Sequence, residues 1–315
     1  MKRRTTPAFL LVAGIALFAP LLHAQEKYPV RQLTSDRAQE GFPFWSPDGT
    51  TIVYTITEMG EDAWKNGLWM IPAEGSEPRH FTRGAYAEGD LKAICEHPNW
   101  SPDGHYIVFD ADTGDAVKLI SSHGGSHVRV VPASIPVYKG GNPVWSPDAS
   151  RVAFKEGPNL WVADIASGEF TVVFTREGTR PIPCCWSRDG SYVIVWLLDE
   201  ASRLSHHWKI STTGAEPEQL TFRESTRYRY MDQSPDGSLL VYSSSESGNL
   251  DLWVMFSEGG EPVRLTYHPR YDDTPRWSPD GTKIAFTSAR TGRMDIYVME
   301  LDINEIKDEL KAANE

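Results

Sequence analysis

Seven residues have types and positions suited to ligand chemistry: Glu88, His97, Arg180, Arg229, Tyr230, Tyr271 and Asp273. Arginine, tyrosine and carboxylate together suit a polar ligand, a sugar or a peptide segment. A base beside a cation is also what proton abstraction next to a carboxylate requires. Glu88 lies with Tyr86, Asp90 and Lys92 on a loop, 83–96, that is longer than its counterparts and leads to His97. Arg227, Tyr228 and Asp272 stand beside the others. A further hairpin, carrying Trp64 and Lys65, is also enlarged and offers an aromatic contact.

Other constellations dissolve on inspection. No Gly-x-Ser-x-Gly nucleophile elbow is present, which removes a fused α/β peptidase. The run His123-Gly124-Gly125-Ser126-His127 has the look of an oxyanion loop, but it falls where other repeats have the turn Glu258-Gly259-Gly260-Glu261. The segment from Asp110 to Asp115 resembles a calcium loop without its closing glutamate. His206 and His207 are neighbours on a strand, so they face opposite sides and cannot share a metal. His80, His97, His105 and His268 have no ligand spacing. No metal site and no cofactor is therefore assigned. Whether Cys95 pairs with Cys184 or Cys185 stays open, since three cysteines without regular spacing make no disulfide framework.

The candidate residues are positioned by a repeat. Trp45-Ser46-Pro47-Asp48-Gly49 returns at Trp100, Trp145, Trp186, Gln233 and Trp277, with small variations and at intervals of 41 to 55 residues. That is the length of one four-stranded propeller blade. In each unit a strand ends at the tryptophan. Proline, aspartate and glycine then turn the chain, and an alternating strand follows, as in Lys283 to Ser288. A third strand has the form Asp251-Leu252-Trp253-Val254-Met255, and a Gly-centred hairpin leads to a fourth. The last unit lacks its fourth strand, whereas Val30-Arg31-Gln32-Leu33-Thr34 has that pattern and precedes the first unit. The expected fold is an all-β, six-bladed propeller with its last blade closed by the N-terminal strand. The recurring aspartates and tryptophans are expected to be scaffold, which leaves the loops at one end of the central channel for function.

The Trp-Ser-Pro-Asp-Gly block, the Asp-Leu-Trp-Val-Met strand and the Gly-Gly-x-Pro-x-x-Leu-Thr strand resemble the repeats of TolB-like propellers over residues 28 to 301. Similar repeats occur in the propellers of prolyl-oligopeptidase-like enzymes and of some polysaccharide lyases. The resemblance implies a non-enzymatic module that presents its channel mouth to an envelope protein or peptide segment. The alternative is a carbohydrate-active enzyme, a lyase or glycosidase, with its site at the same mouth.

Composition sets the setting. Lys2, Arg3 and Arg4 precede an apolar run from Ala8 to Ala19 and a small-residue site at Ala24. Residues 1–24 thus read as a signal peptide cleaved after Ala24, 25–302 as the propeller and 303–315 as a polar, helix-prone tail. The run is short for a membrane span, so no stable insertion is expected after cleavage, and the expected location is periplasmic or secreted. The formal net charge of -12 argues against a nucleic-acid partner.

Overall fold

The computed structural model describes residues 26–82, 94–111, 117–126, 128–130, 141–224 and 226–315. The predicted signal segment, the loop bearing Tyr86, Glu88, Asp90 and Lys92, and Asp112 to Asp115 of the calcium-like run lie outside these residues. So does His127.

Six antiparallel sheets of four strands each follow one another along the chain. Blade 1 begins at Glu40–Trp45, blade 2 at Cys95–Trp100, blade 3 at Val144–Trp145, blade 4 at Thr179–Trp186, blade 5 at Tyr228–Gln233 and blade 6 at Asp272–Trp277. Blade 6 is completed by the N-terminal strand Val30–Gln32, which pairs with Asp295–Glu300 in the register Val30 to Met299. The ring closes as the sequence predicts.

Turn chemistry explains the repeat. In all six units the serine hydroxyl donates to the aspartate carboxylate at 2.5 to 2.6 Å. The same carboxylate oxygen accepts the backbone N–H two residues on. The serine oxygen in turn accepts the N–H that opens the second strand. All six carboxyls sit below the usual range. Burial opposes this most at Asp103, Asp236 and Asp280, but the hydrogen bonds outweigh it. At Asp48, Asp148 and Asp189 the serine bond is the leading cause. These aspartates stabilise turns.

The tryptophans join blades. Trp45 packs against Ala285, Ile296 and Val298 of blade 6, and Trp186 against Val144 and Leu160 of blade 3. Their indole N–H groups donate to the carbonyls of Arg276 and Val144 in those preceding blades. Truncating such a buried aromatic costs about 3–5 kcal/mol.

The C-terminal segment, expected as a polar tail, is amphipathic. Ile303–Ala313 forms a helix, capped where the Asp302 side chain accepts from the Asn304 N–H. Ile306 and Leu310 are fully buried in one cluster with Tyr28, Leu252 and Leu265. Tyr28 donates to Glu309 at 2.7 Å, and Lys27 pairs with Glu305 at 3.1 Å. The helix therefore fastens both chain ends to blades 5 and 6. All three cysteines are buried and none is in a disulfide, which answers the disulfide question in the negative.

Candidate functional site

One position in each blade, three residues before the tryptophan or its equivalent, lies on the first strand or, in blade 3, two residues before it: Phe42, His97, Asn142, Pro183, Tyr230 and Thr274. Phe42, His97, Asn142 and Thr274 all precede proline, which disfavours the right-handed helical region. All four take φ values of 48° to 53°. In blades 1, 2, 5 and 6 the ladder shifts register across this position. Such a bulge re-aims side chains that a regular strand would send to opposite faces.

The consequence is clearest in blades 2 and 5, which face each other across a six-bladed ring. His97 Nδ1 meets Asp110 Oδ1 at 2.9 Å, and Nε2 meets the Tyr230 hydroxyl at 3.1 Å. Phe42 packs on His97 with ring centroids 4.2 Å apart, and Trp196 meets Tyr230 edge-on at 5.3 Å. Asp110 also accepts the Asn142 N–H at 3.3 Å, tying blade 2 to blade 3. A file of hydrogen-bonded groups thus spans the channel. Burial pushes the Tyr230 hydroxyl above its usual range although Arg229 opposes this, so Tyr230 keeps its proton.

The span separates two pits. The one on the Trp-Ser-Pro-Asp-Gly side, about 270 Å³, is walled largely by tryptophans and turn prolines. The one at the opposite mouth is larger, about 790 Å³, and Lys155, Arg180, Arg203, Arg227 and Arg229 line it with Tyr271 and Asp273. Arg229 pairs with the buried carboxylate of Asp273 and lies over the rings of Trp196 and Tyr230, 5.5 and 5.3 Å from their centroids. Burial lowers the Arg229 guanidinium, but the Asp273 carboxylate outweighs that and holds it above its ordinary value. Behind Arg229, buried His207 contacts the Arg229 carbonyl through Nε2. Burial depresses His207 to about 3, so the ring is neutral and supports the bulge.

Of the seven predicted residues, Arg180, Arg229, Tyr271 and Asp273 share the larger mouth. His97 and Tyr230 do not line that cavity; they bond each other beside it, with Tyr230 under the lining residues Arg229 and Trp196. Glu88 lies outside the described residues. Arg180 is exposed and pairs with Glu200 at 2.7 Å, whereas Tyr271 is exposed at the edge. Two neighbours go elsewhere. Tyr228 is buried against His207 and Tyr242, and Asp272 is buried and bound by Arg290 at 2.8 Å. The Trp64 hairpin contains a short 3-10 helix, Gly60–Lys65, and leaves Trp64 half exposed. The Gly124-Gly125 run is a turn between strands. Among the described residues no group of three or more histidine, cysteine or carboxylate side chains is placed to hold a metal. No helix among them is long and apolar enough to cross a membrane.

Phe42, Lys155, Trp196 and Arg203 belong to the site but do not stand out in the sequence. For Phe42 the signal was available, as the Xaa-Pro-x-Trp pattern it shares with His97, Asn142 and Thr274.

A family model described as the TolB beta propeller domain matches residues 231–310. The Tol-Pal system protein TolB of Anaeromyxobacter dehalogenans is 32% identical over 143 residues, covering 41% of this chain and 30% of that protein. The solved structure of a putative TolB from Agrobacterium tumefaciens superimposes with a TM-score of 0.65 at 19% identity, covering 87% of this chain and 97% of that one. An oligogalacturonate lyase in complex with manganese superimposes at 0.61 with 17% identity, covering 90% and 95%. At such identities the two structures speak to the fold alone. The matches span 26% to 58% of the length of these curated relatives.

Proposed function

We propose, from the premise that this chain is a TolB-like β-propeller protein, that it is an exported binding module whose larger channel mouth takes a segment of an envelope protein. One observation carries the reading. The groups at the mouth that could do acid-base or electrostatic chemistry already satisfy one another, His97 between Asp110 and Tyr230, and Asp273 with Arg229. What remains open is a cavity of about 790 Å³ rimmed by cations and by exposed Tyr271. That arrangement suits holding a ligand. Export to the periplasm rests on the signal-like residues 1–24 and on the likeness to a Tol-Pal system protein.

The test is site-specific photo-crosslinking in envelope extracts. A photoreactive side chain at Tyr271 should form a discrete protein adduct. One at Tyr106, exposed at the opposite end, should not. Identical adducts from both positions, or none from Tyr271, would overturn the reading.

One observation favours a second reading, a lyase acting on uronate polymers. The Asp110–His97–Tyr230 file lies beside Arg229, a base and a cation in one place. Against it, a tyrosine raised by burial is a poor base. The appearance of ultraviolet-absorbing unsaturated ends from a panel of uronate polymers would establish it.

A further inference from the structure

Positive charge is concentrated at the mouth of a chain whose formal net charge is -12. Five cations and one carboxylate line the cavity. Two of the cations are engaged, Arg229 by Asp273 and Arg180 by Glu200. Lys155, Arg203 and Arg227 have no side-chain hydrogen bond or ion pair among the described residues. Lys155 is the informative one, because its side chain is buried. An ammonium withdrawn from water without a carboxylate partner is costly. Burial first, and nearby Arg180 second, depress it, and the carboxylates of Asp110, Glu156 and Glu200 offset this only in part. Arg203 adds a second cost: it holds φ at 60° on the hairpin that follows Tyr192–Asp199. One buried ammonium and two exposed guanidiniums, none in a side-chain ion pair among the described residues, therefore converge from blades 3, 4 and 5 on one concave surface.

We propose that the segment held at this mouth is acidic, with carboxylates placed on Lys155, Arg203 and Arg227 and apolar side chains between them. The proposal rests on the reading of the mouth as a protein-binding site. Opposite charge would relieve the repulsion between Lys155 and Arg180, and arginine suits bidentate carboxylate binding. The apolar part follows from Ile182, Leu198, Leu250 and Met294, which share the cavity lining with the cations. An acidic peptide can cover those side chains with its own. A uronate chain supplies carboxylates but no apolar side chain, so it leaves them uncovered.

The experiment is peptide display with random segments of about twelve residues, panned on the full chain lacking residues 1–24, with R203Q/R227Q as the control. Both positions are exposed, so the substitutions test charge with the fold retained, as circular dichroism would verify. Aspartate and glutamate are expected to be enriched in the recovered peptides. Their affinity should fall at least about tenfold in R203Q/R227Q, roughly what one charge-assisted hydrogen bond supplies, and should also fall steeply with salt. Recovered peptides that are neutral or basic, but are lost on blocking Tyr271, would overturn the acidic assignment and leave the binding module standing. Recovery of no peptide would overturn both. Calorimetric binding of tetragalacturonate, with no acidic peptide recovered, would replace the peptide with a uronate ligand.

Discussion

His97 of blade 2 and Tyr230 of blade 5 meet across the central channel, Nε2 to hydroxyl at 3.1 Å. Neither residue's own blade determines the contact, because each is placed by a bulge in its first strand and the ring diameter brings them together. With Asp110 on the other nitrogen of His97, the pair braces opposite walls of the propeller. The substitution Y230F removes the hydroxyl and keeps the ring packed on Trp196. It should cost about 1 kcal/mol, the net worth of one intramolecular hydrogen bond, read as a lower urea midpoint with an unchanged slope.

The Arg229–Asp273 pair sits one residue outside that brace and should show a different signature. R229M leaves a buried carboxylate unpaired and is expected to cost about 2 kcal/mol. D273N in the same chain should recover most of that loss, since no charge is then stranded. A double-mutant cycle by urea denaturation reads the coupling, and strictly additive losses would show that the two groups do not interact.

Glu40 gives the fold a pH dependence of definite sign. Burial raises its carboxyl from 4.5 to about 8, with Asp295 and Asp36 adding to the shift and the Thr34 hydroxyl bond opposing it. The folded protein therefore holds a proton that the unfolded chain has released between those two values. This stabilisation is fully present below about pH 4.5 and is lost as pH rises towards 8. One such group gives a slope of at most about 1.4 kcal/mol per pH unit. E40Q should flatten that part of the stability profile, measured by urea denaturation across the window. Asp251, raised to about 6 by burial, has the same sign and would leave a smaller slope behind.

The closing helix should prove structural. I306A or L310A, each at a fully buried position, is expected to cost about 2–5 kcal/mol. A fall in melting temperature without loss of mouth binding would separate this seam from the ligand site, while unchanged melting would mean the helix is not docked in solution.

The six blades and their closure were legible in the sequence because turns are local. Serine, proline, aspartate and glycine build each one from a few consecutive residues, so the pattern survives in one dimension. The mouth was legible in part. Arg180, Arg229, Tyr271 and Asp273 were chosen by their place before a first strand, and that place fixes the end of the channel. Alternation failed at the bulges: it would put Tyr228 on the same face as Tyr230, yet Tyr228 is buried between blades. Lys155 stayed hidden because Val152-Ala153-Phe154-Lys155 reads as an ordinary core strand with a charged end. The bond between His97 and Tyr230 joins residues 133 apart and depends on ring diameter, which no local pattern encodes.

The latch formed by Val30–Gln32 on Asp295–Glu300 also dictates an order of events. Five blades can each assemble from consecutive residues as the nascent chain lengthens. The sixth cannot, since its outer strand is among the first described segments made and its partner among the last. Closure is consequently the contact of longest range in the sheet system, and the entropy of so large a loop must be met before the seam contributes anything. The rate at which the propeller becomes whole is then set by this one late event, while the individual blades can form early and fast.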